Sequence, residues 1–247
     1  MKFNRIMGIF GLATIATFSM NNGANAGSYS DLVNNPEYLT IRNVKTTIEP
    51  DALDLMTSNS SAGPRVLDSS DIGSGLDEAN VELDQIINMG TKIWKIIEAN
   101  KPVVNLNFVA ASALPKGVTD WQDMQGWQAP MSQIVHMTYT NGFNMNVVDF
   151  AYRIIFTYGG SVNGKGKYIT QMQVVPANLS VAWGYTFEAS ADANTITNAG
   201  TSANPVAALQ ALVSWRVKTV IKDMQSTNSY YMRGDGLFQE LSNGNLN

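Results

Sequence analysis

Val147-Val148-Asp149-Phe150-Ala151-Tyr152-Arg153-Ile154-Ile155-Phe156-Thr157-Tyr158 alternates without a break. Val148, Phe150, Tyr152, Ile154, Phe156 and Tyr158 share one face, and Asp149, Ala151, Arg153, Ile155 and Thr157 share the other. Alternation with period two over this length is the pattern of a strand that buries one face. A glycine-rich turn, residues 159–166, follows. Tyr168, Thr170, Met172 and Val174 then alternate with Ile169, Gln171, Gln173 and Val175, and Pro176 marks an end because it cannot donate to a ladder. From 179 to 188, Leu179, Val181, Trp183, Tyr185 and Phe187 point one way and Ser180, Ala182, Gly184, Thr186 and Glu188 the other. The spacing predicts an antiparallel meander at the centre of the core.

Working outward, Asn141-Gly142 is a strong hairpin signal after a strand over 134–140. Residues 103–111 read as a strand and 114–131 as a loop carrying Trp121 and Trp127. A short strand is expected over 192–197. Residues 205–222 fit strand or helix, and alternation with β-branched content favours the strand. A last strand spans 230–238, interrupted by Gly234-Asp235-Gly236. The period changes at 76–100, where Leu76, Ala79, Leu83, Ile86, Ile87, Ile93, Trp94 and Ile97 follow i, i+3, i+4 spacing. Acidic residues come first there and lysines second, which suits the helix macrodipole. A helix with that stripe either packs on the sheet or detaches into a membrane interface. Its membrane-facing residues would be Leu83, Ile86, Ile87, Ile93, Trp94 and Ile97. The expected fold is mainly β, an antiparallel β-sandwich with one flanking amphipathic helix. Its domain spans 76–247.

The first 26 residues read as a signal peptide: Lys2 and Arg5, an apolar run over 6–20, and Ala24-Asn25-Ala26 before Gly27. A retained N-terminal anchor is the alternative. Residues 27–75 are rich in Ser, Asn, Asp and Gly, and suggest a flexible N-terminal arm with one edge strand near 39–48. The expected location is secreted, with the periplasm a stage in transit. The chain of 247 residues holds no cysteine, which excludes disulfides and thiolate chemistry, and its net charge of −4 without Lys/Arg clusters argues against nucleic acid.

Motifs for chemistry are sparse. Gly159 to Lys165 approaches a phosphate loop, but Gly166 stands where Ser or Thr is needed and a strand follows instead of a helix. Asp68 to Gly73 has a partial calcium-loop pattern but lacks the acidic twelfth residue. His136 is the only histidine, so a histidine-based zinc site is not expected, and no nucleophile elbow accompanies it. Dispersed carboxylates leave a hydrolase as a third reading, but no catalytic residue is singled out; no metal and no cofactor is expected. Arg233-Gly234-Asp235 spells an adhesion tripeptide, for which a bulge or turn is the simpler reading. Trp121, Trp127 and Tyr139 are aromatics suited to stack on glycans or sit at a membrane–water interface, and folding of these residues onto the core is the alternative.

A helix over 76–100, an aromatic loop at 121–127, the strand over 179–187 and Arg233-Gly234-Asp235, in a chain without cysteine, together resemble the actinoporin-like cytolysins. That resemblance implies a sandwich that binds lipid head groups through exposed aromatics and a helix that inserts and oligomerises. The expected function is a secreted, non-enzymatic protein acting at membranes, cytolysin-like or an accessory component of a toxin system. The alternative is an extracellular glycan-binding or matrix sandwich. Expected partners are a lipid membrane surface or glycans, further copies of the chain, or partner toxin subunits.

Overall fold

A computed structural model describes residues 34–51, 81–89, 92–96 and 110–242. A four-residue helix α1 (Pro36–Leu39) leads into β1 (Ile41–Pro50). Then come β2 (Glu82–Met89), β3 (Lys92–Ile96), β4 (Ala111–Lys116), β5 (Met131–Asn141), β6 (Asn146–Val162) and β7 (Lys165–Val181). The last four are β8 (Thr186–Asn198), β9 (Ala207–Lys218), β10 (Asp223–Arg233) and β11 (Phe238–Ser242). They form two sheets, one ordered β1-β5-β6-β7-β4-β2 and the other β11-β10-β9-β8-β3, with every ladder antiparallel. The protein is mainly β, as its alternation predicts.

The two sheets meet along one apolar interior. From the first sheet, Val148, Phe150, Tyr152, Ile154 and Phe156 are buried, with Tyr158 only partly so. Opposite them the second sheet offers many small residues, Ala189, Ala191, Ala193 and Ala211, beside Phe187, Trp215 and Tyr230. Large rings on one layer fill the space left by alanines on the other, which is how two facing sheets reach interior packing density. Phe150 and Phe187 have centroids 4.8 Å apart, and Tyr152 meets Tyr230 at 6.3 Å. The two phenol oxygens of that second pair are 2.6 Å apart, and Asn228 Nδ2 donates to Tyr230 at 2.9 Å, so the polar tips inside the core are partnered.

Several expectations are corrected. Among the described residues the flanking helix is not formed: β2 and β3 stand at 82–89 and 92–96, one at the edge of each sheet. The ladder of β2 with β4 carries a register shift between Glu82 and Ile86. Across that bulge Leu83 and Ile86 both pack against the core, so a strand acquires the three-residue spacing of a helix. Isoleucine-rich composition and unfilled ladder positions beside β4 and β8 then favour strand over helix. The membrane-helix reading of Leu83, Ile86, Ile87, Ile93 and Trp94 falls with it, while Ile97 lies outside the described residues. The calcium-like loop at 68–73, the signal peptide and most of the arm also lie outside them. Within the arm, residues 34–51 belong to the sandwich: β1 is its edge strand, and Tyr38 and Leu39 are buried in the core.

Three smaller boundaries move. β7 runs through Pro176, which sits opposite a register shift between Ala151 and Tyr152, where a missing donor is tolerated. The reading of 179–188 as one strand breaks at residues 182–185, where the chain turns from one sheet to the other. Residues 114–116 are strand, not loop, and most of the strand expected over 103–111 lies outside the described residues. The glycine-rich stretch is a hairpin, with Asn163 at φ 50° and Gly164 at φ 74°, and the phosphate-loop reading is excluded by that geometry.

Candidate functional site: the turn-bearing end of the sandwich

The antiparallel register gathers three turns at one end. Ile41 pairs with Asn141, Val148 with Val181, and Thr186 with Lys218. The turns at 142–145, 182–185 and 219–222 therefore lie together, with α1 entering β1 beside them. Nine large apolar side chains are exposed among the described residues, and five of them, Phe143, Met145, Trp183, Val220 and Ile221, sit on these turns. Val220 is 86% exposed and Trp183 56%.

Two of the three turns are shaped by a buried polar group that pushes its neighbours outward. Asn141 is fully buried, and its Oδ1 accepts from Phe143 N and Met145 N, both at 3.0 Å. Thr219 plays the same part in the third turn. Its Oγ1 accepts from Lys222 N at 2.9 Å and Ile221 N at 3.3 Å, while its own N–H donates to Lys222 O at 2.7 Å. With these donors satisfied inside, the side chains of Phe143, Met145, Val220 and Ile221 have no inward place and face solvent.

α1 ties the three turns to one another. Asn35 caps it, its Oδ1 accepting from Glu37 N at 2.9 Å, and Pro36 begins it. Gly142 N donates to Glu37 O at 2.9 Å and to Thr40 O at 3.1 Å. Tyr38 OH donates to Trp183 O at 2.9 Å, the Tyr185 hydroxyl donates back to Tyr38 O, and Thr219 Oγ1 donates to Leu39 O at 3.2 Å. The rings of Tyr38 and Tyr185 meet edge to face at 5.8 Å. The approach is so close that a Cβ on Gly142 would collide with the Glu37 carbonyl.

Charges ring this end in pairs. Arg42 Nη2 lies 2.9 Å from Glu37 Oε2. Arg216 holds Asp223 through both carboxylate oxygens, Nε to Oδ1 at 2.7 Å and Nη2 to Oδ2. Those hydrogen bonds keep the Asp223 carboxyl below its ordinary range and raise Arg216.

The residues singled out from sequence fall elsewhere. Tyr139 is 1% exposed, and its phenol accepts from Trp215 Nε1 inside the core, so it contacts neither lipid nor glycan. Burial pushes that phenol up. A strand position cannot be told as inward or outward for an amphipathic tyrosine from sequence alone. Trp121 and Trp127 lie at the opposite end, in the loop that bridges to Ser161 through Gln125. Trp127 is half-buried, packs against the core with its ring over Gly160, and donates Nε1–H to Trp121 O at 3.0 Å. Trp121 is 37% exposed and meets Trp127 edge to face at 6.5 Å. One indole of the two is therefore open to a ligand.

His136 lies on the outer face of the first sheet, its Nε2 2.9 Å from Asp149 Oδ1, which also accepts from Asn178 Nδ2 at 2.7 Å. Arg233 and Asp235 are bonded to each other, and Gly234 is pressed on the Lys167 carbonyl, so the adhesion tripeptide is a structural turn. Among the described residues, no group of three or more His, Cys, Asp or Glu side chains gathers as a metal centre, and no helix is long and apolar enough to cross a membrane. A shallow, open depression lies on the outer face of the second sheet, lined by Glu188, Ser190, Ser214, Arg216 and Gln225.

The apolar turns escaped the sequence reading for a definite reason. Trp183 stood in an unbroken alternation, and Phe143 and Met145 were absorbed into a hairpin signal. The available clue was apolar residues at turn positions, Phe143 and Met145 around Asn144 and Val220-Ile221 between two lysines, where burial gives them no purpose. Comparison with protein-family models, curated proteins and solved structures finds no match to this chain.

Proposed function

We propose that this protein is an exported, non-enzymatic β-sandwich that acts at membranes, attaching to a lipid surface through its turn-bearing end. The observation that carries this reading is the concentration of Phe143, Met145, Trp183, Val220 and Ile221 on three adjoining turns. Apolar side chains at the tips of convex turns suit the boundary between head groups and acyl chains, and tryptophan is at home there because its ring is amphipathic. The fixed hydrogen bonding of the turns favours the same reading, because little ordering remains to be done on contact. Attachment in this form calls for no inserting helix, and a role in a toxin system rests on the membrane contact alone.

The test is flotation of the purified protein with phosphatidylcholine vesicles. Replacing Phe143, Trp183 and Val220 together by Ser removes roughly 1–2 kcal/mol of interfacial burial each, about 3–6 kcal/mol in all, so partitioning falls by at least about 100-fold. Folding stability changes little, since exposed positions usually matter by about 0.5 kcal/mol. A parent protein that stays in the aqueous fraction, or a folded triple variant that floats as well as the parent, refutes the proposal. The exposed indole of Trp121 favours a second reading, glycan stacking at the opposite end. A glycan array that lights up with the parent and goes dark with Trp121→Ala, while flotation is absent, would establish it instead.

A further inference from the structure

The third turn carries more than an apolar tip. Its sequence, Lys218-Thr219-Val220-Ile221-Lys222, sets a lysine on each side of its two most exposed aliphatic residues. Thr219 is buried and fixes the loop from inside, through its bonds to Ile221 N, Lys222 N and Leu39 O. Val220 and Ile221 are thereby held at the crest, with Lys218 and Lys222, both exposed, set just behind them.

The acidic groups at this end are already engaged. Asp223 stands opposite Lys218 in the ladder and feels its charge, yet both of its carboxylate oxygens are bonded by Arg216. Glu37 is held by Arg42. Counting Arg42, Arg216, Lys218 and Lys222 against Glu37, Asp223 and Glu188, which faces Arg216 across the ladder, leaves one positive charge, on a chain whose net charge is −4. The excess belongs to the two lysines of the turn.

We infer that this turn is an anchor for anionic phospholipid. It rests on the reading of this end as the lipid-facing one and names the lipid class. Val220 and Ile221 enter the acyl boundary, and the lysine stems lie along apolar surface while their ammonium groups reach the phosphates. Arginine would serve planar bidentate contacts, whereas lysine is a compact point charge suited to a fluid layer of head groups.

The experiment compares flotation with phosphatidylcholine vesicles and with the same vesicles carrying phosphatidylserine. The anionic lipid should tighten binding of the parent by about fivefold for each lysine, roughly 25-fold for the pair, and added salt should erase the gain. Lys218→Gln/Lys222→Gln should lose that increment while keeping the phosphatidylcholine binding of the parent. Val220→Ser/Ile221→Ser should weaken binding to both vesicles alike. Lys165→Gln/Lys167→Gln makes the same change of net charge at the opposite end and should leave the increment intact. Circular dichroism melts verify that each variant is folded. If phosphatidylserine adds nothing to a parent that floats on phosphatidylcholine, the anchor is wrong and the lipid-facing end stands. If the parent floats on neither, both fail. If the Lys165/Lys167 pair loses the increment as fully as the Lys218/Lys222 pair, the preference is one of overall charge and the turn has no special part in it.

Discussion

Gly142→Ala tests whether α1 truly fastens the three turns. The backbone of Gly142 has no left-handed requirement, so alanine adopts its conformation freely, and the whole effect comes from contact. The new Cβ meets both the Glu37 carboxylate and the Glu37 carbonyl. The carboxylate swings away at little cost, but the carbonyl is backbone and accepts the Gly142 N–H. Two responses compete. Full detachment of α1 gives up burial of Tyr38 and Leu39, roughly 2 kcal/mol each. It also gives up about 1 kcal/mol for each of the hydrogen bonds that join this segment to Gly142, Trp183, Tyr185 and Thr219, for a ceiling of about 9 kcal/mol. Local adjustment around one extra methyl typically costs roughly 1–3 kcal/mol, and the chain takes the cheaper course. The expected loss is thus about 2–3 kcal/mol, which at roughly 2–4 °C per kcal/mol lowers the melting temperature by about 4–12 °C. Urea unfolding followed by tryptophan emission measures it. Trp183 should also report a changed environment in the folded variant, since its carbonyl is held by Tyr38, and vesicle binding should weaken. Gly164→Ala is the comparison: nothing lies within 4 Å of its added Cβ, and only its φ of 74° resists, worth about 1–2 kcal/mol. If Gly142→Ala is no more harmful than Gly164→Ala and leaves Trp183 emission unchanged, α1 does not hold the turns.

Trp127→Ala should cost roughly 2 kcal/mol in urea titration, because its half-buried ring covers Gly160, while Trp121→Ala should stay within about 0.5–1 kcal/mol; equal losses would contradict the placement of the two rings. Gly234→Ala should destabilise by at least about 1–3 kcal/mol, since the Lys167 carbonyl cannot yield, and cell attachment to immobilised parent protein should be no better than to Asp235→Asn; an adhesion loss confined to Asp235→Asn would restore the tripeptide as a ligand. Burial raises Glu240, whose Oε1 lacks a hydrogen-bond partner, so the unfolded chain ionises first as pH climbs past 4.5; stability is full below that value and declines toward the folded one, and Glu240→Gln should flatten this segment of the pH–stability curve. At the alkaline extreme, burial pushes Tyr230 up to about 12 from 10.0 and raises Tyr152 well above its ordinary value too, so stability should fall between pH 10 and about 12, and Tyr152→Phe/Tyr230→Phe should blunt the fall; a double variant whose stability drops as steeply as the parent's would overturn it.

The central meander was legible because its period-two pattern and its burial coincide. Val148 to Phe156 alternate in sequence and are the innermost residues of the first sheet. Strand edges were less legible, and for a physical cause: register shifts change which side chains face inward without changing the composition. At Leu83 and Ile86 such a shift produced a helical spacing, and at Pro176 it removed the need for a donor. The site was hardly legible. Exposure of Phe143, Trp183 and Val220 depends on the burial of Asn141 and Thr219, which their polar side chains do not announce, and on α1, whose bonds to Trp183 and Thr219 span 145 and 180 residues. Tyr139 shows the converse, since its hydroxyl suggested a wet partner and finds Trp215 inside the core.

The fastening by α1 also bears on how the molecule reaches its fold. Tyr38 bonds across 145 residues to Trp183, Tyr185 reaches back across 147 to Tyr38, and Thr219 reaches across 180 to Leu39. Contacts so distant in sequence carry large loop-closure entropy and form late, so the hairpins of β5–β6 and β8–β9 assemble first and the end closes last. During synthesis the N-terminal segment must wait, unsheltered, until β9 and the turn after it have emerged. In that interval Tyr38 and Leu39 have no completed core to enter, so emergence of the turn at 219–222 governs when the sandwich seals.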